Sequence, residues 1–151
     1  MVDTGSRMLG GRVAFDVPVE EAFAYLADPR NRPEWQSSLR SVEMLDAGEP
    51  RVGMRWRDHT VVGLVPQMEI TTLEQGELWV EKGRWRGVIE AILTLGFEPT
   101  ATGCLVDVRF RVGGRGILAP VGWAATGAGV LPVLADVRRA ARLLAERRLP
   151  W

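Results

Sequence analysis

The sequence has 151 residues, a length at which one domain can bury an adequate core without a metal ion or a disulfide. Its 19 basic residues balance 19 acidic ones, so no net positive field draws it to nucleic acid or to anionic lipid headgroups, and no nucleic-acid partner is expected. The single cysteine, Cys104, excludes an intrachain disulfide and favours a cytoplasmic location. The start of the chain lacks the apolar core of a signal peptide, and prolines and glycines interrupt the longest uncharged stretch, so no transmembrane segment is expected. We expect one domain over 1–151, with 1–6 disordered.

The first part of the chain changes from a strand pattern to a helix pattern. Over 7–17, apolar and polar residues alternate with the period of two that a half-buried strand shows. Over 19–26, the apolar residues are three and four positions apart, which predicts a short amphipathic helix. Asp28 followed by Pro29 is typical of a helix start, so a second short helix is predicted to run from there towards Trp35.

The rest of the chain is predicted to be a meander followed by a helix. Turn residues, mostly glycine, separate about six stretches that read as antiparallel strands: 42–44, 52–62, 67–73, 78–85, 88–97 and 105–112. An amphipathic helix is predicted from Pro132 to about Arg148. Between them lies a glycine-rich apolar connector, 113–129, which contains Trp123. We expect it to be irregular and to act as a lid at a cavity entrance or as a homodimer contact.

The segment from Val13 to Val42, VAFDVPVEEAFAYLADPRNRPEWQSSLRSV, carries a family resemblance. An apolar strand ends in proline, a V-E-E-A-F helix follows, and Asp28, Pro29 and Trp35 form a characteristic series. Together with the order of elements, this resembles the helix-grip fold of the START-like (SRPBCC) superfamily, which contains polyketide cyclases/dehydrases and lipid-transport proteins.

Two further segments match the same superfamily. The stretch LGFEPTATG at 95–103 is similar to its hairpin turn before a late strand, and GILAP at 116–120 precedes an arginine-rich helix as in that family. The resemblance therefore covers nearly the whole chain. It implies an α+β domain in which a curved antiparallel sheet of about seven strands wraps around a long C-terminal helix.

Alternation along the strands predicts which side chains face the interior of such a sheet. Along 52–62 the residues on the inward side are Met54, Trp56, Asp58 and Thr60. An apolar concave interior is typical of a binding site for a hydrophobic small molecule, and a plain core is the alternative. The predicted wall of the ligand cavity consists of Trp35, Met54, Trp56, Asp58, Met68, Ile70, Phe97, Phe110, Trp123, Leu134 and Val137.

The sequence shows no pairing of a nucleophile with a base, and no metal and no cofactor are expected. His59 is the only histidine and faces outward by alternation, and Cys104 fits a small buried hydrophobe. The glycines at 127 and 129 lack the strand-then-helix setting of a dinucleotide loop. Asp58 is the one candidate catalytic residue, because an inward carboxylate binds a ligand hydroxyl or retains a proton through desolvation. The alternatives are a position at the wet mouth of the cavity and an ion pair with an arginine.

These observations predict a protein that binds or carries a hydrophobic small molecule of lipid, polyketide or isoprenoid type. The first alternative is a polyketide aromatase/cyclase or dehydrase in which Asp58, with Thr60 or Arg84, assists proton transfer. The second is a helper domain whose groove binds a helix of a partner protein. The arginines of the last helix are expected to form a solvated face: Arg138, Arg139, Arg142, Arg147 and Arg148.

Overall fold

The computed structural model describes residues 8–114 and 119–148, and the side chains of all of these except 119–130. This part of the chain forms one antiparallel sheet and three α-helices. The strands are β1 (Leu9–Phe15), β2 (Leu39–Met44), β3 (Arg55–Thr60), β4 (Gln67–Glu74), β5 (Leu78–Trp85), β6 (Ile89–Pro99) and β7 (Cys104–Gly114). The helices are α1 (Val19–Ala27), α2 (Arg32–Trp35), which a 3-10 turn over Pro29–Asn31 precedes, and α3 (Ala119–Arg147).

The seven strands lie in the order β1-β7-β6-β5-β4-β3-β2, and every neighbouring pair is antiparallel. Hairpins join the consecutive strands from β2 to β7, as short connections favour. The first strand instead pairs with the last, so β1 and β2 occupy opposite edges of the sheet. The chain from β1 to β2, which contains α1 and α2, therefore crosses from one edge to the other. The α+β helix-grip fold predicted from the resemblance is confirmed.

The long helix α3 packs along β1 and β7 and also meets α2. Its buried side chains recur at intervals of three and four residues, the spacing of one helix face. The buried Asp136 belongs to the same face. Its carboxylate accepts hydrogen bonds from the main-chain nitrogen of Ser37 at 3.2 Å and from the Ser37 hydroxyl at 2.8 Å. These bonds tie α3 to the segment between α2 and β2. The apolar members of the buried face are Leu134, Val137, Ala140 and Leu144.

The prediction of an irregular connector over 113–129 is wrong. Strand β7 continues to Gly114, α3 begins at Ala119, and Pro132 lies inside the helix. Glycine and proline lower helix propensity, but propensity is a weak local preference that tertiary context overrides. A flexible loop that acts as a lid at this position therefore loses its basis, and the predicted homodimer contact stays a prediction. The predicted disorder of 1–6 and the predicted cavity contact of the Trp123 side chain lie outside the described residues.

Strand β3 is shorter than the predicted range 52–62. Gly53 has φ of 90°, a left-handed conformation that belongs to the turn before the strand. The inward and outward sides are nevertheless the predicted ones, because Trp56 and Asp58 are buried whereas Arg55 and Arg57 are exposed. The other strand ends differ from the predicted ones by a few residues.

The turn between β6 and β7 is packed tightly against the end of β1. A Cβ atom built on Gly103 would lie 2.0 Å from the main-chain oxygen of Phe15, well inside van der Waals contact. Glycine is therefore required at this position by close approach of two main-chain segments.

We expect Gly103→Ala to lower the free energy of unfolding by about 1–3 kcal/mol, because the end of β1 must move to admit the methyl group. Gly96→Ala is the matched control, since its Cβ would meet only the Cβ of Asp107, at an ordinary 3.8 Å. Urea unfolding followed by tryptophan fluorescence measures both. Equal stability of the two variants would contradict the described packing of β1.

Candidate functional site

A cavity of about 270 Å³ lies between the inner face of the sheet and the segment that leads from α2 into β2. Ser38 and Leu64 are exposed members of its wall and mark its mouth. Arg32, Asp58 and Glu81 are deeply buried members, with exposed fractions of 1%, 3% and 4%. Most of the remaining wall is apolar and includes Met68, Trp85, Ala91, Leu93, Phe110 and Val112.

The position of Arg32 is fixed by the local sequence DPRNRPEW. The carboxylate of Asp28 accepts a hydrogen bond from the main-chain nitrogen of Arg30 at 3.0 Å, which caps the 3-10 turn that begins at Pro29. Arg32 then begins α2, with a second proline directly after it, and its carbonyl accepts a hydrogen bond from the nitrogen of Gln36 at 2.8 Å. Two prolines and a cap restrict this short segment, so the arginine side chain projects from a defined point.

Three charged side chains from different elements meet in the interior. Nη2 of Arg32 donates a hydrogen bond to Oδ2 of Asp58 on β3 at 3.0 Å, and Nη1 donates to Oε2 of Glu81 on β5. Nε1 of Trp56 donates to Oδ1 of Asp58 at 2.9 Å, so both oxygens of Asp58 accept hydrogen bonds. We refer to Arg32, Asp58 and Glu81 as the ion cluster.

Aromatic rings complete the environment of the guanidinium. Its Cζ lies 5.5 Å from the centroid of the Trp56 ring and 5.9 Å from that of Trp35. These distances allow cation–π attraction, which is strongest where water is absent. Nε of Arg32 has no acceptor among the described residues, so the aromatic faces and the two carboxyl groups replace its hydration.

The ion cluster has one guanidinium for two carboxyl groups. Burial raises the pKa of Glu81 to about 7, since desolvation and repulsion by Asp58 outweigh the attraction of Arg32. Burial by itself lowers the pKa of Arg32, but the two neighbouring carboxyl groups raise it overall, so the arginine stays charged. Glu81 is therefore a carboxyl group of raised pKa that is buried in the ion cluster and lies on a cavity wall.

A family model described as polyketide cyclase / dehydrase and lipid transport matches residues 11–147. The chain belongs to this family. The match begins within β1 and ends at the last residue of α3, so it includes every element that forms the cavity. A comparison with curated protein sequences finds no significant match.

Solved structures share the fold of this polyketide cyclase/dehydrase and lipid-transport domain at low sequence identity. MLL2253 from Mesorhizobium loti is 19% identical with a TM-score of 0.75, and the alignment covers 95% of this chain and 100% of that one. StfQ, the di-domain ARO/CYC of the steffimycin biosynthetic pathway, is 16% identical with a TM-score of 0.69, covering 91% of this chain and 50% of StfQ. DynU16, from the dynemicin biosynthetic locus, is 19% identical with a TM-score of 0.66, covering 89% and 46%. The chain thus spans about half of StfQ and of DynU16, and these likenesses show the fold.

The sequence-predicted cavity residues separate into two groups in this family domain. Asp58, Met68 and Phe110 line the cavity. The others whose side chains are described lie in the hydrophobic core, away from the cavity wall, and ligand contact by them stays a prediction. They are Trp35, Met54, Trp56, Ile70, Phe97, Leu134 and Val137. Asp58 itself has the ion-pair environment that the sequence left open as an alternative.

Sequence reasoning missed Arg32 and Glu81. Arg32 lies between two prolines in a stretch that reads as a surface turn, where an arginine is ordinarily solvated. Glu81 lies two positions after Trp79 on the same strand, so the two side chains point to the same side of the sheet. Because Trp79 is fully buried, it was the residue that indicated an inward-facing Glu81. Gly83 continues this face and admits Met68, because a Cβ on the glycine would lie 2.7 Å from the methionine sulfur.

Other candidate residues have structural environments. Cys104 is buried, and burial raises the pKa of its thiol, which disfavours the reactive thiolate. Arg147 and Arg148 pair with Glu34 and Glu21, so part of the helix arginine series binds the α1–α2 segment and is not simply solvated. Within 8–114 and 119–148, no group of three or more metal-ligating side chains is present, and no helix has the length and apolarity to cross a membrane.

We expect the free energy of unfolding to fall as the pH rises from about 5 to about 8, and this fall to be much smaller in Glu81→Gln. The raised pKa of Glu81 means that the folded state binds the proton more tightly than the unfolded chain does. The resulting stabilisation is present below the ordinary value of 4.5 and is lost as the pH rises through about 7. Urea unfolding across this pH range measures the effect.

Glu98→Gln is the control for this experiment, because it removes an exposed carboxylate from the same protein. It should keep the pH slope of the wild type. Parallel pH profiles for the wild type and Glu81→Gln would show that Glu81 does not take up a proton in this range.

Proposed function

We propose that this domain binds a small hydrophobic molecule with oxygen-containing groups, of the lipid, polyketide or isoprenoid type. The cavity is the observation that carries the proposal: its wall is apolar except for the mouth and for the ion cluster. Ligand pockets commonly have volumes of about 300–1,000 Å³, and this cavity, at about 270 Å³, lies just below that range. Removal of apolar ligand surface from water stabilises the complex by about 25 cal/mol per Å².

The ion cluster supports a ligand with oxygen atoms over a pure hydrocarbon. Glu81 in its protonated form can donate a hydrogen bond to a carbonyl, and in its ionised form it can accept one from a hydroxyl. Buried polar groups of this kind favour a ligand that forms hydrogen bonds with them over a ligand that leaves them without a partner. Apolar burial would therefore supply affinity, and the ion cluster would supply orientation.

The relatives support the same ligand class. The description of the family includes both polyketide cyclases/dehydrases and lipid transport, StfQ is an ARO/CYC protein of a biosynthetic pathway, and DynU16 belongs to a biosynthetic locus. Polyketides and lipids, the molecules that the family description names, are oxygenated carbon chains. They accord with an apolar cavity that ends in a proton-exchanging carboxyl group.

We expect the wild-type protein to bind an apolar aminonaphthalene dye, and Ala91→Trp to reduce the affinity about tenfold or more by filling the cavity, whose wall includes Ala91. Ile92→Trp is the matched control, because the next residue of the strand points to the other face of the sheet. Dye fluorescence and native mass spectrometry measure binding. A long-chain ketone should displace the dye better than an alkane of equal length.

A wild-type protein that binds neither dye nor ketone would refute the proposal. The same conclusion would follow if Ala91→Trp and Ile92→Trp bound the dye equally well, because the bound dye would then lie outside the cavity.

Catalysis of a polyketide cyclisation is the second candidate, and Glu81 is the observation that favours it. A carboxyl group with a pKa near 7 is suited to proton transfer at neutral pH. In an aldol cyclisation, ionised Glu81 would remove a proton from a methylene between two carbonyl groups. The resulting carbanion would attack a carbonyl carbon of the same chain, and the alkoxide so formed would take the proton back from Glu81. Both oxygens of Asp58 already accept hydrogen bonds, so Glu81 is better placed than Asp58 to carry the proton.

If the domain is a cyclase, Glu81→Gln should reduce turnover of a synthetic poly-β-ketone thioester about 100-fold or more, because the proton acceptor is removed. Dye binding should stay within about threefold of the wild type, since the apolar wall is unchanged. Product formation followed by chromatography measures turnover, with Asp58→Asn in parallel. Unchanged turnover in Glu81→Gln would exclude Glu81 as the base. Absence of turnover in the wild type would leave ligand binding as the proposed function.

A further inference from the structure

The hairpin between β3 and β4 exposes a run of apolar side chains. Val61, Val62, Leu64 and Val65 have exposed fractions of 51%, 77%, 46% and 39%. Gly63 stands at their centre with φ of 89°, the left-handed conformation of a tight turn. Large apolar side chains exposed side by side on a projecting turn are uncommon on a protein that stays in water.

This hairpin forms part of the cavity mouth. Leu64 and Pro66 belong to the cavity wall, as do Thr60 before the hairpin and Ser38 at the start of β2. The turn between β5 and β6 lies at the same end of the sheet and adds the exposed Val88 and the half-buried Trp85, which is a cavity residue. We define the entrance rim as residues 36–40, 60–66 and 84–89. Of the strongly exposed large apolar side chains in the described residues, all but Val52 and Leu131 lie in the rim or at the adjoining start of β1.

The charges of the described chain are separated between the two ends of the sheet. The entrance rim contains Arg40, Arg84 and Arg86 and no acidic residue. The opposite end of the sheet contains six acidic residues, Asp16, Asp46, Glu49, Glu74, Glu77 and Glu98, against two arginines, Arg51 and Arg55. The zero net charge of the sequence conceals this separation, which gives the rim a local positive potential.

The rim arginines are available to a partner. The Arg84 side chain is 63% exposed, and its only ion-pair contact among the described residues is at 4.0 Å, to Glu90, which Lys82 already binds at 2.7 Å. Cζ of Arg86 lies 4.8 Å from the centroid of the Trp85 ring. Tryptophan beside arginine, next to an apolar segment, is the arrangement found where proteins meet the headgroup region of a bilayer.

We propose that the entrance rim docks on an anionic lipid bilayer, with the hairpin 61–65 in the boundary between headgroups and acyl chains and the three arginines against lipid phosphates. The hairpin favours a bilayer over a protein partner because its apolar residues are consecutive. Alternate residues of a hairpin point to opposite sides, so both sides of this one are apolar. A protein surface covers one side, whereas a bilayer surrounds the tip. Docking in this orientation places the cavity mouth against the lipid phase. The proposed docking does not depend on which molecule the cavity binds.

Vesicle flotation tests the proposal with the full chain. We expect the wild type to float with phosphatidylcholine vesicles that contain about one quarter phosphatidylglycerol, and less with phosphatidylcholine alone, because the arginines require anionic headgroups. Binding to the anionic vesicles should weaken as salt is added. Val62→Asp and the double variant Arg40→Glu/Arg84→Glu should each reduce the vesicle partition coefficient about tenfold or more.

Two controls match these variants in chemistry and differ in position. Val52→Asp replaces an exposed valine, 59% accessible, at the opposite end of the sheet. Arg138→Glu/Arg142→Glu reverses two exposed charges on α3. Both should partition as the wild type does. Circular dichroism of every variant checks that it is folded.

Three results would overturn the proposal. The first is failure of the wild type to float with anionic vesicles, and the second is equal loss of binding by the rim variants and their controls. The third is a dimer in size-exclusion chromatography that Val62→Asp dissociates while vesicle binding is absent, which would assign the rim to contact between two copies. Flotation does not require an occupied cavity, so it separates failure of this proposal from failure of ligand binding.

Discussion

The buried guanidinium of Arg32 is the constraint on which the rest of the site depends. It projects from a segment held by Asp28 and two prolines, and it reaches carboxyl groups on β3 and β5, which β4 separates. Removal of one member of a buried ion pair typically costs about 3–5 kcal/mol, because the remaining charge stays unpaired. A protein in which apolar side chains of similar volume replace a buried ion pair is often no less stable. Stability alone therefore does not explain the three buried charges. The presence of these charges in the wall of a cavity accords with the polar ligand site that we propose there.

The cavity follows from the way the chain covers its sheet. The helix α3 packs along β1 and β7, and the chain from α1 to α2 crosses the sheet, so the inner face between them and β3–β6 is left incompletely filled. Gly83 and Ala91 line that space with small side chains, whereas the neighbouring core contains three fully buried tryptophans. A cavity with one polar pole and a mouth bordered by apolar residues can exchange a hydrophobic ligand without exposing it to much water. The proposed ligand binding, proton transfer and membrane docking would therefore involve three different parts of one architecture: the wall, the ion cluster and the entrance rim.

The sequence predicted the parts of the fold that local patterns determine. Strand alternation placed Trp56 and Asp58 inward, and the Asp-Pro series located the short helices, because periodicity and capping act within a few residues. It did not reveal the ion cluster, since Arg32 is 26 positions from Asp58 and 49 from Glu81, and no local rule links them. It also placed the start of α3 too late, because the glycines and Pro132 lower a local propensity that tertiary packing overrides. The charge asymmetry of the two ends was invisible in a net charge of zero and became visible only with the order of the strands.

We propose that Glu81 is a cavity-facing carboxyl group that exchanges a proton near neutral pH, because desolvation and the nearby Asp58 outweigh the attraction of Arg32. Carbon-13 NMR of the glutamate side-chain carboxyls, with Glu81 assigned through Glu81→Gln, measures this directly. We expect a midpoint near pH 7 for Glu81 in the free protein and a change in that midpoint when a long-chain ketone is bound. A midpoint near the ordinary glutamate value of 4.5, unchanged by the ketone, would contradict it.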